Sequence, residues 1–119
     1  MRGNQEIKEA LQSADSISVN PIVLGELQAG FQHGRHSDKN KKTLKQFLAS
    51  PRVQVVAMDE ETAERYAVIL NALWAIGRPI PTNDLWIAAS AMRYGLTILT
   101  TDAHFKRVAQ VLVHYVALT

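Results

Sequence analysis

The sequence predicts an α/β fold in which helices flank a parallel sheet, organised as a single domain over residues 1–119. Short apolar runs typical of strands alternate with helical segments of about 10 to 15 residues, a pattern that indicates a parallel sheet. The chain length suits one hydrophobic core, since domains usually contain about 100 to 150 residues. No internal repeat or low-complexity linker divides the sequence.

Local signals in the first half predict three helices and two strands. Ile7 and Ala10 recur at helical spacing, whereas residues 16–19 alternate as a short strand. Asn20 supplies an N-cap, and Pro21 suits the first position of the helix that follows. In order, the predicted elements are a helix to Ala14, a strand over 16–19, a helix from Pro21 to about Gly34, a helix from Ser37 to about Ser50, and a strand over 53–56.

The second half continues the alternation. Asp59 opens a long helix, which ends at Gly77 before two prolines. The elements after it are a helix from Thr82 to Gly95, a strand over 97–99, a short helix that Asp102 caps, and a strand over 111–116. Apolar spacing predicts the buried faces of the helices from Pro21 and Asp59 as Val23, Leu24, Leu27 and Phe31, and as Ala63, Tyr66, Ala67, Leu70, Leu73 and Trp74.

The composition excludes several classes of protein. Without cysteine the chain has no disulfide, no thiolate metal site and no cysteine nucleophile. Its apolar runs are far shorter than the roughly 18 residues of a membrane span, so no membrane association is expected. The N-terminal residues lack the apolar stretch of a signal peptide, so we expect a cytoplasmic protein.

The net charge of +2 conceals an uneven distribution. Residues 33–52 contain six basic side chains and one acidic side chain, a net charge of +5, so the rest of the chain has a net charge of −3. Such a run is either a solvated helix face or a patch that contacts phosphates. The candidate phosphate-binding residues are Arg35, Lys39, Lys41, Lys42 and Lys45.

Three acidic residues are candidates for a catalytic site. Glu26 has apolar or small neighbours one helical turn away on either side, so it is either at an edge or a charge kept for a function. Asp84 lies in the first turn of an apolar helix, and Asp102 follows a strand. Taken singly, each aspartate is better explained as a helix cap, or in the case of Asp102 as a cap or turn residue.

The predicted topology brings these acids to one edge of the sheet. Helix N-termini and strand C-termini share the carboxyl edge, where ligands bind in such folds. Clustered carboxylates repel one another unless a cation neutralises them, and oxygen ligands favour Mg²⁺ or Mn²⁺. Such ions hydrolyse phosphodiesters, which suits the basic segment. In contrast, His33, His36, His104 and His114 share no obvious ligand face, and we predict structural or solvent-facing roles for them.

Three segments resemble the PIN domain, and in particular the VapC-type toxins. They are Val23–Leu27 around Glu26, Pro81–Ala89 around Asp84, and Leu99–Phe105 around Asp102. The resemblance implies a PIN-like three-layer sandwich and an endoribonuclease that depends on Mg²⁺ or Mn²⁺. It also implies an RNA substrate, inhibition by a small antitoxin, and a homodimer. By position, Glu26, Asp84 and Asp102 look like the family's second to fourth metal-binding acids, and Thr100 looks like the family's hydroxyl residue among the catalytic residues.

One feature of the family has no counterpart here. Its members begin with a central strand that ends in the first acid, whereas residues 1–4 resemble the middle of the family's first helix. We therefore expect an N-terminally truncated domain whose central strand is missing. Three hypotheses follow: a toxin ribonuclease whose first strand is absent from this sequence, a truncated non-catalytic protein that binds RNA or antitoxin, and a structural module whose acids are caps.

Overall fold

The computed structural model describes residues 2–118. Within this range the chain forms five α-helices, four short strands and one 3₁₀ helix. They are α1 (Arg2–Ser13), β1 (Ile17–Val19), α2 (Pro21–His33), α3 (Ser37–Leu48), β2 (Val53–Val55), α4 (Glu60–Ala75), α5 (Thr82–Tyr94), β3 (Ile98–Thr100), the 3₁₀ helix (Ala103–Arg107) and β4 (Val113–Tyr115).

The residues group into two compact units. One unit, Asp15–Ala57, contains β1, α2, α3 and β2. Its two strands pair in parallel, with Ile17 opposite Val53. Asn20 caps α2 as predicted, because its side chain accepts a hydrogen bond of 2.9 Å from the backbone N–H of Val23.

The other unit comprises residues 2–14 and 58–118. Its strands β3 and β4 also pair in parallel, with Ile98 opposite Val113. Helices α4 and α5 pack against each other, and small residues of α5 such as Ala88 and Ala89 let the buried Ile69 and Leu73 of α4 approach closely. This cluster is the main core of the unit.

Polar contacts hold the start of α4 against the end of α5. Asp59 caps α4 in a capping box, in which its side chain and that of Thr62 each accept a backbone hydrogen bond. The hydrogen bond from the Thr62 backbone lowers the pKa of Asp59, and Arg93 contributes to the same shift. Arg93 lies 3.5 Å from Asp59 and 3.1 Å from Glu61. Helix α5 ends at Gly95, whose φ of 66° suits glycine.

The structure confirms the α/β class, the order of elements and the parallel pairings, but it corrects the buried faces. Leu27 of α2 is exposed, because the unit of residues 15–57 has too few elements to enclose its apolar stripe. Trp74 of α4 is 63% exposed, and Ala63 and Ala67 are exposed as well. The face of α4 toward α5 buries Thr62, Ile69 and Leu73, so Leu73 of the predicted stripe is confirmed, and Tyr66 and Leu70 of that stripe pack half-buried against the core.

The predicted sheet is present as two pairs of strands. Within residues 2–118, β1 pairs only with β2, and β3 pairs only with β4. The absence of the family's central strand from this sequence stays a prediction. Among the described helices, none has both the length and the apolar character needed to cross a membrane.

Candidate metal centre

Asp84 lies in the first turn of α5, and its side chain is only 14% exposed. The N-cap position of this helix is Pro81, which makes no side-chain capping hydrogen bond. Because proline also has no backbone N–H, a carboxylate three residues later cannot complete a capping box with it. Asp84 is therefore not the N-cap of α5, but an acidic residue in the first turn of this helix.

Asp102 does act as a cap, as its alternative interpretation holds. Its Oδ1 accepts a hydrogen bond of 2.8 Å from the backbone N–H of His104, at the start of the 3₁₀ helix. Thr100, at the end of β3, accepts a hydrogen bond of 3.0 Å from the backbone N–H of Asp102 through its hydroxyl oxygen. A carboxylate has two oxygens and about four lone pairs, so capping leaves Asp102 able to bind a cation.

The fold brings Asp84, Asp102 and His104 together at one place. Nδ1 of His104 lies 3.1 Å from Oδ1 of Asp102 and 3.8 Å from Oδ2 of Asp84. One donor atom from each residue lies within 4.8 Å of the other two. The predicted convergence of a helix N-terminus and a strand end therefore holds for these two acids.

His104 is the residue that the sequence analysis missed. The prediction considered only a ligand face shared among the four histidines, whereas the cap at Asp102 folds the chain back and brings the ring of His104 beside both carboxylates. His114 instead lies 3.3 Å from Glu6, while His33 and His36 are exposed. The sequence signal that could have revealed this contact is the spacing of two residues between Asp102 and His104 at a predicted cap.

The remaining predicted residues lie in the unit of residues 15–57. Glu26 is exposed on α2, and no heavy atom lies within 4 Å of the positions where a Cβ on Gly25 or Gly30 would be. Its place in a metal site remains a prediction. The basic candidates are likewise exposed: Arg35, Lys39, Lys41, Lys42 and Lys45.

Two of these lysines border an open groove in the same unit. The groove has a volume of about 310 Å³ and is lined by Gln28, Lys41, Leu44, Lys45 and Leu48. Its apolar floor and cationic rim suit an amphipathic partner as well as a phosphate backbone. RNA binding by the basic residues therefore also stays a prediction.

The cluster of Asp84, Asp102 and His104 fits a divalent cation. Two carboxylates and an imidazole are protein ligands of such ions, and their donor atoms are close enough to reach one ion. Nδ1 of His104 is shielded from solvent and faces both carboxylates, with Oδ1 of Asp102 3.1 Å away.

Comparisons with known proteins point to one family. Residues 2–111 match the family model described as "PIN domain". Ribonuclease VapC of Rickettsia bellii is 34% identical over 107 residues, covering 86% of this chain and 78% of the relative. Ribonuclease VapC4 of Mycobacterium tuberculosis is 30% identical over 93 residues, covering 78% and 72%. The crystal structure of VapBC2 from Rickettsia felis, bound to a DNA fragment from their promoter, superposes with a TM-score of 0.80 at 26% identity, covering 98% of this chain and 86% of that one.

Proposed function

The chain belongs to the PIN domain family, and we propose that it is a VapC-type endoribonuclease, the toxin of a type II toxin-antitoxin pair. Two relatives, 34% and 30% identical over 86% and 78% of this chain, are named ribonucleases. The observation that carries the proposal is the convergence of Asp84 and Asp102 on one cluster, in which Asp84 is not the N-cap of its helix.

Asp84 and Asp102 would hold a Mg²⁺ or Mn²⁺ ion, and the family resemblance makes Glu26 a further candidate acid for metal binding. A bound ion of this kind supplies an activated water and stabilises negative charge on a phosphodiester. Thr100 keeps Asp102 in place, since its hydroxyl oxygen accepts the Asp102 backbone N–H and so orders the turn that carries the carboxylate. Asp84 and Asp102 are therefore the proposed metal ligands, and Thr100 is a positioning residue.

The substrate is RNA, and the exposed basic side chains around α3 would contact its backbone. Lys39, Lys41, Lys42 and Lys45 carry their charges on one twelve-residue helix, with Arg35 just before it. Their contacts would release counterions from the nucleic acid, so binding should weaken steeply with salt.

We further propose a small antitoxin as protein partner, and a homodimer as the assembled state. The Rickettsia felis neighbour is a VapBC complex, and 98% of this chain superposes on 86% of the matched chain. Several large apolar side chains are exposed and available to a partner: Leu27, Val55, Val68, Trp74, Ile76, Leu112 and Leu118.

The test is an RNA cleavage assay with the 119-residue chain in Mg²⁺, in Mn²⁺ and in EDTA. We expect cleavage that needs a cation and that falls at least a hundredfold in Asp84→Asn, because an amide ligates a cation poorly. Glu64→Gln is the matched control, since Glu64 is an exposed acid of the same unit whose one ion pair is with its neighbour Arg65.

The outcomes separate the hypotheses. Cleavage that persists in EDTA or in Asp84→Asn contradicts the metal site. RNA binding without cleavage by the wild-type chain contradicts the ribonuclease proposal and supports the non-catalytic alternative.

A further inference from the structure

His104 is placed where its ring can take part in the metal site rather than only border it. The ring is 42% exposed overall, yet its Nδ1 atom is shielded from solvent and faces the two carboxylates. It lies on the 3₁₀ helix, while Asp84 comes from α5 and Asp102 from the turn after β3. Three separate elements thus supply one donor atom each.

The distances suit one shared ion. Ligand atoms about 2.1 Å from an octahedral ion are about 3.0 Å apart when adjacent and about 4.2 Å apart when opposite. The two distances from Nδ1, 3.1 Å to Asp102 and 3.8 Å to Asp84, fall inside this range. Movements well under 1 Å would therefore bring all three atoms to one ion.

Hydrogen bonding argues for the same role. Nδ1 makes no hydrogen bond among the described residues, although Oδ1 of Asp102 is only 3.1 Å away. That oxygen already accepts the backbone N–H of His104. Buried nitrogen atoms are rarely left without a partner, so an ion that all three groups share is the simplest partner for this one.

We propose that Nδ1 of His104 is a third protein ligand beside Asp84 and Asp102, and that it makes this site select Mn²⁺ over Mg²⁺. The inference rests on the proposed function for the location of the ion. Although Mn²⁺ binds nitrogen less strongly than the later first-row ions do, an imidazole adds more to its binding than to that of Mg²⁺, which prefers oxygen and retains its waters. A mixed nitrogen and oxygen set therefore strengthens Mn²⁺ binding while adding little for Mg²⁺.

The competing explanation is a purely electrostatic contact, in which the imidazole only neutralises Asp102. Mg²⁺ and Mn²⁺ carry the same charge, so removal of such a contact would change both affinities by a similar factor. Loss of a nitrogen ligand would instead reduce Mn²⁺ affinity selectively. The ratio of the two affinities thus distinguishes the roles.

The experiment titrates the full chain with MnCl₂ and with MgCl₂ by calorimetry, without RNA. For His104→Gln we expect Mn²⁺ affinity to fall by about tenfold or more, as for other losses near a metal, and Mg²⁺ affinity to change less than about threefold. His114→Gln is the matched control, because His114 also contacts a carboxylate, that of Glu6, but lies in β4 outside the cluster. Equal losses for both ions, or no loss, would overturn the proposal.

A second measurement tests the nitrogen ligand directly. Pulsed electron paramagnetic resonance of the Mn²⁺-loaded wild-type chain should show coupling to a directly bound nitrogen, and His104→Gln should lack it. Wild-type protein that binds no Mn²⁺ at millimolar concentration, or binds it without nitrogen coupling, overturns the inference. RNA cleavage that depends on Asp84 but shows no nitrogen coupling refutes this inference alone, whereas nitrogen coupling without cleavage refutes the ribonuclease proposal alone.

Discussion

Replacing Asp84 with Asn should stabilise the metal-free protein, because it removes a repulsion that the fold maintains. A carboxylate oxygen of Asp84 lies within 4.8 Å of one from Asp102. At that distance two unit charges repel by about 3.5 kcal/mol at an effective dielectric of 20 and by about 1 kcal/mol in water. Asp102 is 43% exposed, so the repulsion lies between these limits. A negative charge near the N-terminus of α5 gains back about 0.5 to 1 kcal/mol, which leaves a net gain of about 1 to 2 kcal/mol.

That gain translates into a measurable melting shift. A chain of 119 residues has an unfolding entropy of about 250 cal/mol/K, so the metal-free variant should melt about 4 to 8 °C higher. With a cation at a hundredfold excess over Kd, the wild-type protein should gain about 2.7 kcal/mol, or about 11 °C. Asp84→Asn should lose most of this response.

The assay is thermal unfolding followed by circular dichroism, in EDTA and in a Mn²⁺ series, with Glu64→Gln as the control. The control should melt like the wild type and keep its metal response. If Asp84→Asn melts lower than the wild type in EDTA, the two carboxylates do not oppose each other as argued. If it keeps the full response to Mn²⁺, Asp84 is not a ligand.

Three further predictions concern other parts of the molecule. Gly3→Ala should lower the free energy of unfolding by about 1 to 3 kcal/mol in urea titrations, because a Cβ there would lie 2.6 Å from the carbonyl oxygen of Ala117; unchanged stability would contradict this packing. The hydrogen bond from the Thr62 backbone lowers the pKa of Asp59 in the folded protein. The contribution of ionised Asp59 to the free energy of unfolding is therefore complete above about pH 4, and it is lost as the pH falls through the lowered pKa of the folded state. Asp59→Asn, which can still cap, should therefore flatten the acid limb of a stability profile, and an identical profile would count against the contact. Lys42→Gln should reduce the salt dependence of RNA binding by about 0.7 in log–log slope, in filter binding; an unchanged slope would remove Lys42 from the interface.

Local signals explain why the elements could be predicted so closely. Asn20 and Asp59 cap their helices through atoms only three residues away, and Gly95 ends α5 in the left-handed conformation that glycine permits. Such interactions depend on sequence neighbours alone. The two aspartates of the site could be predicted for a related reason, since a helix start and a strand end share one edge in this class of fold.

The features that sequence reasoning missed depend on partners distant along the chain. Trp74 and Ile69 both fit the apolar spacing of α4, but the side that faces α5 determines that Ile69 is buried and Trp74 exposed. Periodicity predicts which apolar residues share a side of the helix, but not which other element covers that side. The burial predicted for Trp74 was therefore wrong.

The amino-acid sequence by itself determined the order of helices and strands, the caps, the parallel class of the sheet, and two acids of the candidate metal centre. The tertiary structure alone decided that the strands pair two by two within the described residues, and that His104 joins Asp84, twenty residues earlier in the chain. The physical reason is range: caps and turns are stabilised between neighbours in sequence, whereas a metal cluster requires atoms from α5, the turn after β3 and the 3₁₀ helix to meet, which only packing of these elements can achieve.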